Sequence, residues 1–162
     1  MDIGTTIIGV VLAAICLLPF FLISRGRKKR EEKTIKSLMD IAKQQDCQIN
    51  QYELCNNLII GMDKNKNVLL FKKDYDDIPR EQLIYLSEIQ SCKVVEISRT
   101  IKNKSATIKL IDRLELMLIP NNKSKPEIKL EFFNVEKDFQ LNGQLQLINK
   151  WSKEIKDQLK SN

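Results

Sequence analysis

Along ATIKLIDRLELMLIP, residues 106–120, apolar and polar side chains alternate. Leu114, Leu116 and Leu118 fall on one face, and Arg113, Glu115 and Met117 on the other. A period of two predicts a strand with one face against a core. The same period runs through EIKLEFF, where Ile128, Leu130 and Phe132 share a face, and through the far end of KVVEISRTI. Earlier, NLIIGMD sets Leu58, Ile60 and Met62 against Asn57, Ile59 and Gly61, and the polar DKNKN leads into NVLLFKK. Two apolar runs around a short Asp/Asn-rich loop predict a hairpin. QLIYL reads as a short strand or a turn of helix, NKSA as a turn, and PNNKSKP as a turn bounded by Pro120 and Pro126. Phe132 and Phe133 are adjacent, so one is expected outside the core or under a covering helix. That is the sequence's one hint of an apolar surface for a partner.

The period lengthens in LNGQLQLINKWSKEIKDQLKS. Leu145, Ile148, Trp151, Ile155 and Leu159 recur at three and four residues, one apolar stripe on a helix with a Lys-rich outer face. Asn142, just before Gly143, is the expected helix start. Trp151, the only Trp, is expected as a core anchor rather than a ligand platform. In EEKTIKSLMDIAKQQD, residues 31–46, Ile35, Leu38, Met39 and Ala42 also share a helical face. Such a helix could lie on a membrane, extend as a stalk or dock on the body, and docking is the preferred expectation.

Ile3 to Ile23 carries no charged side chain. A helix of that length reaches roughly 30 Å, the thickness of a bilayer core. Arg25, Arg27, Lys28, Lys29 and Arg30 follow it, whereas Asp2 precedes it. That order is the reverse of a cleaved signal peptide, and the positive-inside rule sets the following residues in the cytoplasm. The pattern predicts three parts: a transmembrane anchor (1–24), a basic juxtamembrane segment with spacer helix (25–46), and a cytosolic domain (47–162). The expected location is the cell membrane, with one span and a short N-terminus outside.

LIIGMDKNKNVLLF, IDRLELML, EIKLEFFN and GQLQLINKW together resemble short bacterial membrane-anchored proteins with a pleckstrin-homology-like (PH-like) cytosolic domain. The resemblance covers roughly residues 47–160. It implies an α+β, mainly β, PH-like fold of six or seven antiparallel strands capped by the C-terminal helix, and it brings no catalytic motif.

Charge refines this picture. Of the formal +6, residues 1–36 contribute seven Lys/Arg against three acids, and the remainder 20 against 18. The domain is nearly balanced, which argues against a nucleic-acid footprint. With no histidine, imidazole-based triads are excluded. Neither GxGxxG nor a phosphate-loop pattern occurs among five glycines. Cys16, Cys47, Cys55 and Cys92 lack the paired spacing of a zinc site. Cys16 reads as an apolar filler and the other three as reduced, partly buried thiols. Asp76–Asp77 reads as a solvated turn, Glu31–Glu32 as balancing the charge of the basic cluster, and Asp112, Arg113 and Glu115 as cross-strand ion pairing.

No catalytic residue, cofactor, metal or small-molecule substrate is therefore expected. The expected function is non-enzymatic: a single-pass membrane protein presenting a binding or scaffold domain to a protein partner. The alternative is a lipid-sensing module in which Arg25, Arg27, Lys28, Lys29 and Arg30, with Lys64 and Lys66, grip anionic headgroups.

Overall fold

The computed structural model describes Cys16, Gly26, Lys28, Lys29 and residues 31–75, 78–103 and 106–161, with the backbone alone at 78–79, 102–103 and 106. The chain divides into two compact units, Met1–Ser37 and Leu38–Asn162. In the first, Lys28 and Lys29 are helical and exposed, as are Glu31 and Glu32.

Helix α1 (residues 31–44) ends within the second unit in a Schellman motif. Cys47 N–H donates to the Ala42 carbonyl (2.7 Å) and Asp46 N–H to that of Lys43 (3.0 Å). Asp46 takes the left-handed conformation at φ 54° that such an ending requires. Two antiparallel sheets follow: β1 (Gln51–Cys55), β2 (Leu58–Asp63), β3 (Val68–Tyr75) and β4 (Ile78–Tyr85), then β5 (Ile89–Asn103), β6 (Ala106–Pro120) and β7 (Ile128–Asn134). Each sheet is a meander in chain order. A 3-10 turn, Leu86–Glu88, separates them, and β4 does not pair with β5. Helix α2 (Gln144–Lys160) ends the fold.

The core lies between the sheets. Leu58, Ile60 and Met62 of β2 and Leu69 and Phe71 of β3 meet Leu114, Leu116 and Leu118 of β6 and Leu130 and Phe132 of β7. Phe71 and Phe132 rings lie 5.5 Å apart. α2 fills the space between the sheets with Ile148, Trp151 and Ile155, all fully buried. Leu147 and Ser152 join them, and Leu145 and Leu159 are partly buried against the cluster. The helix also reaches both sheets through hydrogen bonds: Trp151 Nε1 donates to Glu53 Oε2 of β1 (3.2 Å), and the Cys92 thiol of β5 to the Ser152 carbonyl (3.5 Å). Its N-cap is Gly143, at φ 87°, without a side-chain cap, so the expected Asn142 start is displaced by one residue. Gln144 Oε1 instead accepts from Asn142 N–H (2.5 Å).

β2 is buried on both faces. Its outer face meets the end of α1, where Leu38 is fully buried and Ala42 nearly so. A methyl placed at Gly61 would lie 3.1 Å from Leu38 Cδ2 and 2.9 Å from Ile49 Cγ2, so glycine is what permits this approach.

The β2–β3 turn is organised by Asp63, 1% exposed. Its Oδ1 accepts from the N–H groups of Asn65 and Lys66 (3.0 Å each), and Oδ2 from that of Gln48 (2.7 Å). Burial pushes this carboxyl up, but the three donors outweigh it and hold its pKa below the ordinary value. A carboxyl depressed in the fold adds stability above its unfolded pKa, near 4, and that stability is lost as pH falls through the folded value. Asp63→Asn is expected to unfold in urea about 1–3 kcal/mol below wild type at pH 7. The gap should narrow as pH falls below about 4, where the unfolded chain is protonated, and close only through the depressed value of the folded carboxyl.

Three expectations are corrected here. Among the described residues no helix is long and apolar enough to cross a membrane. The two long helices are short of the roughly 20 apolar residues a span needs, and both carry charges along their length. The anchor expected over residues 3–23 lies outside the described residues except for Cys16, which is exposed. Single-span membrane localisation is withdrawn on this finding. Second, the expected transmembrane helix plus PH-like domain gives way, among the described residues, to an α+β arrangement of a four-stranded and a three-stranded antiparallel sheet with the helices α1 and α2. Third, both Phe132 and Phe133 are in the core. The β6–β7 register shifts between Leu114/Phe133 and Glu115/Glu131, and the extra residue breaks the alternation that would have turned one ring outward.

Candidate binding surface

β5 and β6 each run 15 residues, whereas β7 has seven. Arg113↔Asn134 is the last β6–β7 pair, so beyond it β5 and β6 continue as a two-stranded arm. Opposed residues of an antiparallel pair share a face. Ile101↔Ile108 and Arg99↔Leu110 are opposed, and Ile97 lies two residues before Arg99. Ile97, Ile101, Ile108 and Leu110 therefore form one apolar face, each between 37% and 51% exposed. Two strands alone are marginal in water, and an uncovered aliphatic face gains from a partner.

The arm also holds the local charge excess of residues 47–162. Residues 97–113 contain five Lys/Arg and a single acid, Asp112, while the rest of residues 47–162 contains fourteen against fifteen. Arg99 lies 3.2 Å from Asp112 and Lys109 2.6 Å from Glu96, yet both cations keep more than half of their side-chain surface exposed.

A buried polar network explains why β7 ends where it does. Lys73, on the core face of β3, is 1% exposed and donates to Asp138 Oδ2 (2.7 Å) and the Phe132 carbonyl (3.1 Å). Asp138 Oδ2 also accepts from Asn134 N–H (2.8 Å), and its Oδ1 from Asn57 Nδ2 (3.4 Å). Asn134 Oδ1 accepts from Glu136 N–H (3.1 Å), and its carbonyl from the N–H groups of Lys137 and Asp138. These bonds curl the chain away from β6 after Val135, whose N–H makes the last bond to that strand. Burial lowers the Lys73 pKa despite its acid partner. Tyr75 donates to Glu131, and burial with that carboxylate pushes the phenol far up. Glu131 is raised by burial but held low overall by Tyr75, Asn134 and Lys137. With Lys73 enclosed, this network is a tie between β3 and the turn after β7.

The residues singled out in the sequence separate rather than converge. Lys28 and Lys29 are exposed on their helix, while Arg25, Arg27 and Arg30 lie outside the described residues, as do Asp76 and Asp77. Lys64 pairs with Glu154 (3.5 Å) and Lys66 with Asp46 (2.6 Å), and both side chains remain about half exposed. Arg113 lies 3.7 Å from Glu115 and 3.8 Å from Glu131, an ion-pair cluster at the root of the arm. Burial raises the thiol pKa of Cys47, Cys55 and Cys92, which makes them poor nucleophiles. Among the described residues no three His, Cys, Asp or Glu side chains are placed to hold a metal ion. A cavity of about 270 Å³ lies elsewhere, lined by Leu83, Tyr85, Ile89, Pro120 and Ile128, with the Lys125–Glu88 ion pair (2.7 Å) among its walls. That volume is small for a ligand site.

The arm's apolar face was missed because alternating Ile and Leu on a strand reads as a core face. Its charge excess was legible, since a count over residues 97–113 alone isolates it. No protein-family model matches the chain, and no curated protein or solved structure matches it.

Proposed function

We propose that the second unit is a non-catalytic protein-binding module whose β5–β6 arm is the docking element. One observation carries this reading: four large aliphatic side chains stand uncovered on one face, Ile101, Ile108 and Leu110 on the ribbon beyond the third strand and Ile97 at its root. Partners at protein interfaces bury such a face at their centre and leave charges at the rim, the role open to Arg99 and Lys109. The double variant Ile101→Ser, Ile108→Ser tests it. Both side chains lie outside the core, so the urea transition should move by less than about 1 kcal/mol. A protein that co-purifies with the full wild-type chain should be lost from the variant. Equal recovery with both chains would remove the arm from the reading.

A further inference from the structure

We infer that the side of β6 vacated by β7, along Thr107–Ile111, is a slot for an extended acidic segment of the partner protein, added as a strand; this rests on the arm being the docking element. β6 pairs with β5 across this stretch, and β7 stops at Arg113↔Asn134. Val135 N–H still donates to the Asp112 carbonyl (2.9 Å), and then the Asn134–Asp138 turn carries the chain off. Among the described residues no strand occupies the β7 track beyond that bond. Five residues of strand offer roughly 17 Å of ladder.

The chemistry of the occupant follows from the two faces of the slot. Ile108 and Leu110 project on the exposed apolar face, and Thr107 and Lys109 on the other. An added strand would therefore place apolar residues beside Ile108 and Leu110, and its alternate residues beside Lys109. Lys109, its side chain 62% exposed beside Glu96, faces those alternate positions and favours carboxylates there, and the net positive charge of residues 97–113 steers an acidic strand to the slot. A bilayer cannot satisfy the N–H and C=O groups of a strand edge, whereas an incoming strand can. Duplex or single-stranded nucleic acid gains nothing from a bare aliphatic face, and residues 97–113 contain no aromatic side chain on which bases could stack. A second copy of this chain would bring an equally cationic arm.

The probe is a seven-residue synthetic peptide of alternating Val and Glu, titrated against the full chain by fluorescence anisotropy. Its controls are the Val/Lys counterpart, the Val/Glu peptide N-methylated at alternate residues, phosphatidylserine vesicles and a DNA duplex. The Val/Glu peptide should bind, and about tenfold more weakly when salt screens the charges. The Val/Lys and N-methylated peptides should not bind, and Lys109→Glu should reverse the preference between Glu and Lys. Equal binding of the N-methylated peptide, equal binding of Glu and Lys peptides, or preference for vesicles or DNA would overturn the slot. If the peptide fails while loss of co-purification in the Ile101/Ile108 variant persists, the slot is wrong and the arm remains a docking element.

Discussion

Replacing Lys73 by Met is expected to destabilise the fold by about 3–5 kcal/mol, because it leaves the Asp138 carboxylate buried without its cation. The side chain of Lys73 is 1% exposed and that of Asp138 6%, so water cannot take over the lost contact. The methionine keeps the aliphatic volume, which separates the loss of the charge from the creation of a cavity. Adding Asp138→Asn should recover part of the loss, since the stranded charge is then gone, although Asn134 N–H keeps an acceptor of reduced strength. Urea denaturation of the two single variants and the double gives the coupling. Additive losses would mean that Lys73 and Asp138 contribute separately and that the tie between β3 and the turn after β7 is of no consequence.

Trp151→Ala should cost roughly 3–5 kcal/mol through the cavity it opens. The indole is the largest fully buried side chain and lies on the face of α2 that fills the space between the sheets. It also holds Glu53 of β1 through Nε1, beside the Lys150–Glu53 pair. Trp151→Phe keeps most of the ring volume and loses the N–H, so it should retain more stability than the alanine variant. Thermal or urea unfolding followed by circular dichroism reads both. Equal losses would point to the hydrogen bond, and no loss would contradict the placement of α2 as the wedge of the core.

The parts of the fold that depend on local period were legible in the sequence. Leu114, Leu116 and Leu118 are buried together, as their alternation implies, and the β2–β3 hairpin turns through Asp63–Asn67. The stripe Ile148, Trp151 and Ile155 enters the core on α2. What failed was whatever depends on a neighbour. QYELC pairs with β2 as β1, a pairing that five residues by themselves do not announce. QLIYL, read as a short strand or a turn of helix, supplies the end of β4 and the first residue of the 3-10 turn, but its pairing with β3 is specified by no local signal. The bulge opposite Leu114/Glu115 turns both Phe132 and Phe133 inward, against the period of two. Lys73 reads as a solvent-facing lysine between Lys72 and Asp74, and only Asp138, 65 residues later, makes its burial tolerable.

The binding surface shows the same divide. Ile97, Ile101, Ile108 and Leu110 have the pattern of core residues, but they stand on the face away from Val94 and Ile111, which pack against the core, where β7 stops at Asn134. That stop is set by side-chain bonds of Asn134 and Asp138, not by a proline or glycine that a reader could recognise. The cationic excess of the arm needs no structure to be seen, but it acquires meaning only when the ribbon is found to project past its third strand.

The account stands most directly on the arm being the surface that meets a protein. A photo-crosslinking residue in place of Ile108, compared in the full chain with one at the exposed Lys123 of the β6–β7 loop, tests this in the cells that make the protein. The account predicts a discrete protein adduct from position 108 that is absent from 123 and is suppressed by Ile101→Ser. Adducts of the same kind and yield from both positions would contradict it.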